Sequence, residues 1–178
     1  KKPHKKNLFI FGTLFGFGFY VSGVSWITNS LTFDENFKVL IPFAIILIPL
    51  FLSLFMGFTV LIIGPLLNYN ISSIFIFSAA LGFSDFLRAK LFSGFPWNLW
   101  AYSLSWITEL LQTLNLLGLF AFNLIVITIF TLPIILFHQL PIIKKISIIF
   151  LTVILVLCLY IYGNHEINKN QNYLNTLN

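Results

Sequence analysis

The sequence predicts an all-α, polytopic integral membrane protein with about five transmembrane helices and one interfacial amphipathic helix. Three observations carry that prediction. Of the 178 residues, 58% are hydrophobic and only 8% are charged, whereas a soluble domain carries about 25% charged residues. Such a chain cannot clothe a globular surface in polar groups. A hydrocarbon layer about 30 Å thick asks for roughly 20 apolar residues per helix, and the chain offers several runs of that length. The lysines sit in short clusters beside these runs, the placement of topology determinants. The net charge of +5 therefore speaks for membrane orientation and not for nucleic-acid binding. A single cysteine, Cys158, excludes an intrachain disulfide. Opening on Lys1 and closing on a polar tail, the chain reads as a fragment of a longer protein.

Lys1, Lys2, Lys5 and Lys6 precede the first span, about residues 8–27. The run is long for a signal peptide. Gly12 and Gly16 have the small-xxx-small spacing that lets another helix approach closely. A polar hinge with Asp34 and Glu35 leads to the second span, 37–63, in which Pro42 and Pro49 predict a kink or a broken helix start. Gly64-Pro65 and Asn68 to Asn70 form a turn before the third span, 71–87. Over 106–117, Trp106, Ile107, Leu110, Leu111, Leu114 and Leu117 recur at helical spacing, with Thr108, Glu109, Gln112, Thr113 and Asn115 opposite. That pattern predicts an amphipathic helix lying in the interface plane. The fourth and fifth spans are 118–137 and 146–162, joined by a loop with Pro141, Lys144 and Lys145. Residues 163–178 read as a polar, Asn-rich linker.

Five crossings put the two ends on opposite sides. Lys1, Lys2, Lys5, Lys6, Lys144 and Lys145 share one side; Lys38, Arg88, Lys90 and Lys169 share the other. Positive-inside counting then places the N-terminus in the cytoplasm and the tail outside.

Residues 85–97 concentrate the candidate chemistry. Asp85 and Arg88, at i,i+3, share a helix face at the end of an apolar run. They form either a membrane-end ion pair with Arg88 snorkelling outward or a site where the guanidinium grips a lipid phosphate. Gly94-Phe95-Pro96-Trp97 follows as a stiff aromatic turn, since Pro96 fixes its own φ and restricts Phe95. It is either an interfacial aromatic anchor or a cavity wall. Trp100, Tyr102 and Trp106 extend the aromatic belt, and Ser22-Gly23-x-x-Trp26 closes the first span on the same side. His4, His138 and His165 are too scattered for a metal site, and no nucleophile stands beside a base. The predicted spans carry no ionisable residue at mid-depth, which argues against an ion or proton transporter.

These residues, Asp85, Arg88, Gly94 to Trp97, Tyr102-Ser103 and the Ser22 to Trp26 element, together with Gly118 and Asn123, resemble the membrane domain of bacterial apolipoprotein N-acyltransferases. The resemblance covers essentially the whole chain. It implies a protein of eight spans with a nitrilase-like catalytic domain inserted before the last, of which this chain would be spans three to seven. It implies a bacterial inner-membrane enzyme that moves an acyl chain from a phospholipid to the S-diacylglyceryl N-terminal cysteine of an apolipoprotein, through a thioester on a catalytic cysteine aided by a glutamate and a lysine. None of those three falls on this chain, and Cys158 is not that cysteine. No cofactor or metal is implied, and the partners are the phospholipid donor, the lipoprotein acceptor and membrane lipids. Arg88 and Trp97 would line the lipid cavity, with Asp85, Gly94, Phe95, Pro96, Tyr102 and Trp26 around them. Two departures stand out: Asp85 replaces a usual Glu, and Lys90 a frequent aromatic residue. The competing readings are a transporter or channel segment and a plain membrane-anchoring module.

Overall fold

Helix order follows from where the apolar runs meet residues that interrupt helical hydrogen bonding. The computed structural model describes residues 4–68, 70–91, 94 and 96–177, with 172–177 as backbone alone. In chain order the α-helices are α1 (Lys5–Val24), α2 (Ile41–Ile63), α3 (Ile71–Lys90), α4 (Thr108–Leu111), α5 (Thr113–Leu117), α6 (Leu119–Thr131) and α7 (Ile142–Leu177). No strand occurs among the described residues. Among the described residues, five segments are long and apolar enough to cross a bilayer: Lys5–Thr32, Glu35–Leu66, Ile71–Lys90, Leu119–Phe137 and Ile142–Gln171.

The edges of these segments have local causes. After α1 the chain tightens into a 3₁₀ helix over Ser25–Thr32. Thr28, Ser30 and Thr32 each turn their hydroxyls back onto the carbonyl three residues earlier, at 2.7 Å, a local bond that competes with regular helix. Asp34 then accepts the Asn36 N–H at 2.9 Å and starts a second 3₁₀ turn, Glu35–Leu40. Pro42 begins α2 instead of breaking it, because the first helical turn needs no donor there. Pro49 lies inside α2.

Contacts group the chain into two units, Lys1–Asn68 with Ala79–Asn98, and Tyr69–Ser78 with Leu99–Asn178. In the first unit α1 packs along α2. The buried residues of α1 are Gly12, Gly16, Tyr20 and Val24, one ridge at i+4 spacing. A Cβ added at Gly12 would stand 2.8 Å from the Met56 carbonyl oxygen, and one at Gly16 would stand 3.0 Å from Met56 Cβ. The small-residue spacing thus serves contact within this chain, and Gly57 completes it by receiving Thr13 and Phe9.

In the second unit, buried Ala101, Leu110, Phe122 and Val126 form a core, with Trp100, Leu114 and Leu159 among the residues packed on it. Asn123, fully buried, accepts the Ala101 N–H at 3.0 Å and so satisfies a backbone donor inside this core. Ser78 and Thr131 share a hydrogen bond of 3.1 Å.

Two segments take a form different from the sequence expectation. The amphipathic stretch 106–117 appears as two short helices, α4 and α5. Thr113, which the pattern assigns to the polar side, is fully buried and donates to the Leu110 carbonyl at 2.6 Å. Residues 163–177, expected as a linker, continue α7. No proline follows Pro141 to interrupt it, and an established helix gains one bond per added residue. Gly163 is buried against α4, where any Cβ would collide with the Glu109 carbonyl oxygen. Three residues earlier, Tyr160 donates to Glu109 Oε1 at 3.1 Å. Glu109, on the polar side of the pattern, stays at the surface and through this bond ties α4 to α7.

Two outcomes follow from these contacts. Gly12→Ala is expected to destabilise the folded chain by about 1–3 kcal/mol, the usual cost of overpacking. Gly18→Ala, whose Cβ meets nothing within 4 Å, should be neutral or gain up to about 1 kcal/mol of helix propensity. Denaturant unfolding in micelles compares them, and equal effects would contradict the packing. The second outcome concerns Glu109, whose backbone hydrogen bond, with smaller help from Tyr160 and Thr108, holds its carboxyl below the usual range. A depressed native value gives stability that is complete above the unfolded pKa of about 4.3 and lost as pH falls through the native one. The difference in melting temperature between the wild-type chain and Glu109→Gln should therefore narrow as pH is lowered through that window.

Candidate functional site

Helix α3 carries Asp85 and Arg88 on one face near its C-terminal end, and the loop after it returns over them. The return needs a sharp turn. Leu91 N–H bonds the Leu87 carbonyl at 2.8 Å, and Gly94 N–H bonds the Leu91 carbonyl at 3.0 Å. Gly94 adopts φ +70, and a Cβ there would lie 2.8 Å from the Ala89 carbonyl oxygen. Glycine is what this turn requires.

Arg88 is 2% exposed and Asp85 2% exposed. Arg88 Nη2 donates to Asp85 Oδ1 at 3.0 Å, and Nη1 donates to the Trp97 carbonyl at 2.8 Å. The guanidinium carbon sits 5.2 Å from the centre of the Tyr20 ring, itself 1% exposed. Arg88 thus does not snorkel outward. Its charge is spent on a carboxylate, a backbone oxygen and an aromatic face. Both charges are compensated, which burial demands.

Trp97 is turned toward the outside of the first unit. Trp97 stacks on Trp26 with centroids 4.9 Å apart and planes 13° from parallel. The two indoles are 45% and 52% exposed. Trp26 Nε1 donates to the Gly23 carbonyl at 3.1 Å. Beside them an open groove of about 500 Å³ is lined by Phe15, Gly18, Phe19, Ser22, Gly23 and Asn98. Among the described residues, no three His, Cys, Asp or Glu side chains gather as a metal site would require.

Of the residues singled out from sequence, Asp85, Arg88, Gly94, Trp97 and Trp26 come together in the first unit. Pro96 is half-buried in the same loop. Phe95 lies outside the described residues. Tyr102 belongs to the second unit, in the 3₁₀ helix Trp100–Leu104, and is 41% exposed. Lys90 Nζ lies 5.9 Å from the Phe86 ring centre. Sequence reasoning passed over Tyr20 and Asn98. Tyr20 was legible in principle, since it follows Gly12 and Gly16 at i+4 spacing and a buried hydroxyl-bearing ring asks for a polar neighbour. Asn98 gave a weaker signal, an Asn following a Gly/Pro turn.

Comparison with known proteins supplies the family context. The family pattern described as the N-terminal domain of apolipoprotein N-acyltransferase matches residues 1–132. An apolipoprotein N-acyltransferase of Agrobacterium fabrum is 38% identical over 109 residues, 61% of this chain and 21% of that protein. Those of Brucella melitensis and Rickettsia bellii are 36% identical over 109 residues and 32% identical over 116, covering 20% and 23% of their lengths. The chain thus matches about a fifth of the length of these relatives. No solved structure matches it.

Removing either member of the buried pair should leave an uncompensated charge. Arg88→Ala or Asp85→Ala is expected to cost about 3–5 kcal/mol, and the double change to apolar residues, Asp85→Leu with Arg88→Met, clearly less than either. Unfolding of the micelle-bound chain measures the three; additive losses would mean the pair is not coupled.

Proposed function

Because the chain belongs to the apolipoprotein N-acyltransferase N-terminal-domain family, we propose that it forms the lipid-handling membrane part of an enzyme that moves an acyl chain from a phospholipid to the S-diacylglyceryl N-terminal cysteine of a lipoprotein. In this reading the protein sits in the bacterial inner membrane, with the N-terminus cytoplasmic and the far end of α7 extracytoplasmic. In this reading acyl transfer, through a thioester, is the work of a nitrilase-like domain separate from these spans. The five spans provide the route by which acyl chains reach it.

One observation carries the proposal: a buried Asp85–Arg88 pair spends its hydrogen-bonding on the loop that holds Trp97 beside Trp26. An ion pair that served only to end a helix would have no need of the Trp97 carbonyl. Arg88 accordingly acts as the holder of the loop, and lipid phosphate is left to other groups. Trp97 and Trp26 present aromatic surface that can wall an acyl path, and rigid indoles do so at little entropic cost. Gly94 and Pro96 shape the turn, and Tyr102 adds an aromatic surface in the segment that follows.

In the full-length acyltransferase carrying this segment, Trp97→Ala and Trp26→Ala should each lower N-acylation of a diacylglyceryl peptide by about tenfold, the equivalent of roughly 1.4 kcal/mol. Trp106→Ala, at a more exposed indole (77%), should change it little. Equal activity of all three variants at normal expression would reduce this chain to a membrane anchor.

A further inference from the structure

Asn98 is, among the described residues, the one non-glycine residue with a positive φ, +57. Non-glycine residues seldom adopt this left-handed conformation, and Asn is among those that tolerate it. A strained position of this kind persists only where surrounding contacts hold it. The contacts here lie on the last turns of α1. Asn98 Nδ2 donates to the Phe19 carbonyl at 3.4 Å. Its amide lies flat against Gly23, so that a Cβ on Gly23 would collide with both the nitrogen and the oxygen of the Asn98 side chain. On its other side the Gly23 carbonyl accepts the Trp26 indole N–H, and Trp26 stacks on Trp97, the neighbour of Asn98. The contacts close a ring: Gly23 to Trp26, Trp26 to Trp97, Trp97 to Asn98, and Asn98 back to Gly23.

We propose that Asn98 and Gly23 form a latch that positions Trp97, with Asn98 a positioning residue for the acyl-transfer reaction. Arg88 pulls the loop from beneath through the Trp97 carbonyl. Asn98 fixes it from the side, and the bare face of Gly23 is the socket. Because Asn98 also lines the groove with Phe15, Gly18 and Phe19, the same latch sets the position of that groove's wall. The role in the reaction rests on the reading that Trp97 walls the lipid path. The latch itself is a property of this chain and is testable without the reaction.

The experiment uses four versions of the chain in micelles: wild type, Gly23→Ala, Asn98→Gly, and the double variant. Stacked indoles give a coupled near-ultraviolet circular dichroism signal, and Trp26→Phe identifies the part that belongs to this stack. Gly23→Ala should lose that part while far-ultraviolet helix content stays unchanged. Asn98→Gly keeps the permitted φ and empties the socket, so the double variant should recover much of what Gly23→Ala loses. A signal unchanged in Gly23→Ala, or lost equally with and without Asn98→Gly, would overturn the latch. In the full-length enzyme Gly23→Ala should raise KM for the phospholipid donor by about tenfold with kcat nearly unchanged, the mark of a displaced binding wall. A loss confined to kcat would overturn the positioning role. A wild-type enzyme without N-acylation would instead sink the proposed function, and the dichroism result would still decide the latch.

Discussion

A buried charge pair anchors the first unit of this protein. Arg88 and Asp85 sit together at 2% exposure near the end of an apolar helix, where an isolated charge of either sign would cost several kcal/mol. The pair is tolerable only because each group has a partner, and one of those partners is the Trp97 carbonyl. The path of the loop is therefore coupled to the neutralisation of Arg88. A loop that moved away would leave a guanidinium hydrogen short of an acceptor in a low-dielectric setting. Tyr20 adds the third side of the enclosure, and it can reach Arg88 because Gly12 and Gly16 on its own ridge let α1 lie close against α2. Glycines many residues from the charge thus help decide whether the charge can be buried.

Hydrogen bonding inside the second unit follows the same economy with neutral groups. Asn123 serves the Ala101 N–H in the core, and Ser78 and Thr131 serve one another. In a chain with few charges, Ser, Thr and Asn carry most of the polar specificity. They mostly do so by bonding backbone oxygens one turn away, which is also what bends regular helix into 3₁₀ at Ser25–Thr32.

The presence of five spans was legible because hydropathy alone marks a run that must avoid water, although the helix that carries the last one runs well past the expected 146–162. The Asp85–Arg88 pairing was legible too, since residues three apart on a helix face one another. The Trp97 carbonyl as a partner of Arg88 was hidden for a simple reason: a backbone carbonyl has no letter in the sequence. Asn98 was hidden because its φ is set by what packs on it. Thr113 went to the wrong environment, and the Tyr160 partner of Glu109 went unseen, because a two-sided helical pattern assumes one neighbour below and solvent above. Here α7 supplies a second neighbour through Tyr160 and Gly163. The helical course of 163–177 was missed because composition signals linkers by their polarity, while continuation of a helix needs only the absence of an interrupting residue.

That last helix has a mechanical consequence. At 36 residues and 1.5 Å per residue, α7 measures about 54 Å, nearly twice a hydrocarbon layer of about 30 Å. Its polar end is consequently tied in angle as well as in height to the part within the bilayer. One residue inserted between Tyr160 and Gln171 would raise that end by about 1.5 Å and swing it by about 100°, whereas seven would lift it two turns and return it close to its original bearing. A flexible tail of the same composition would pass on neither displacement, so α7 behaves as a keyed shaft and not as a tether.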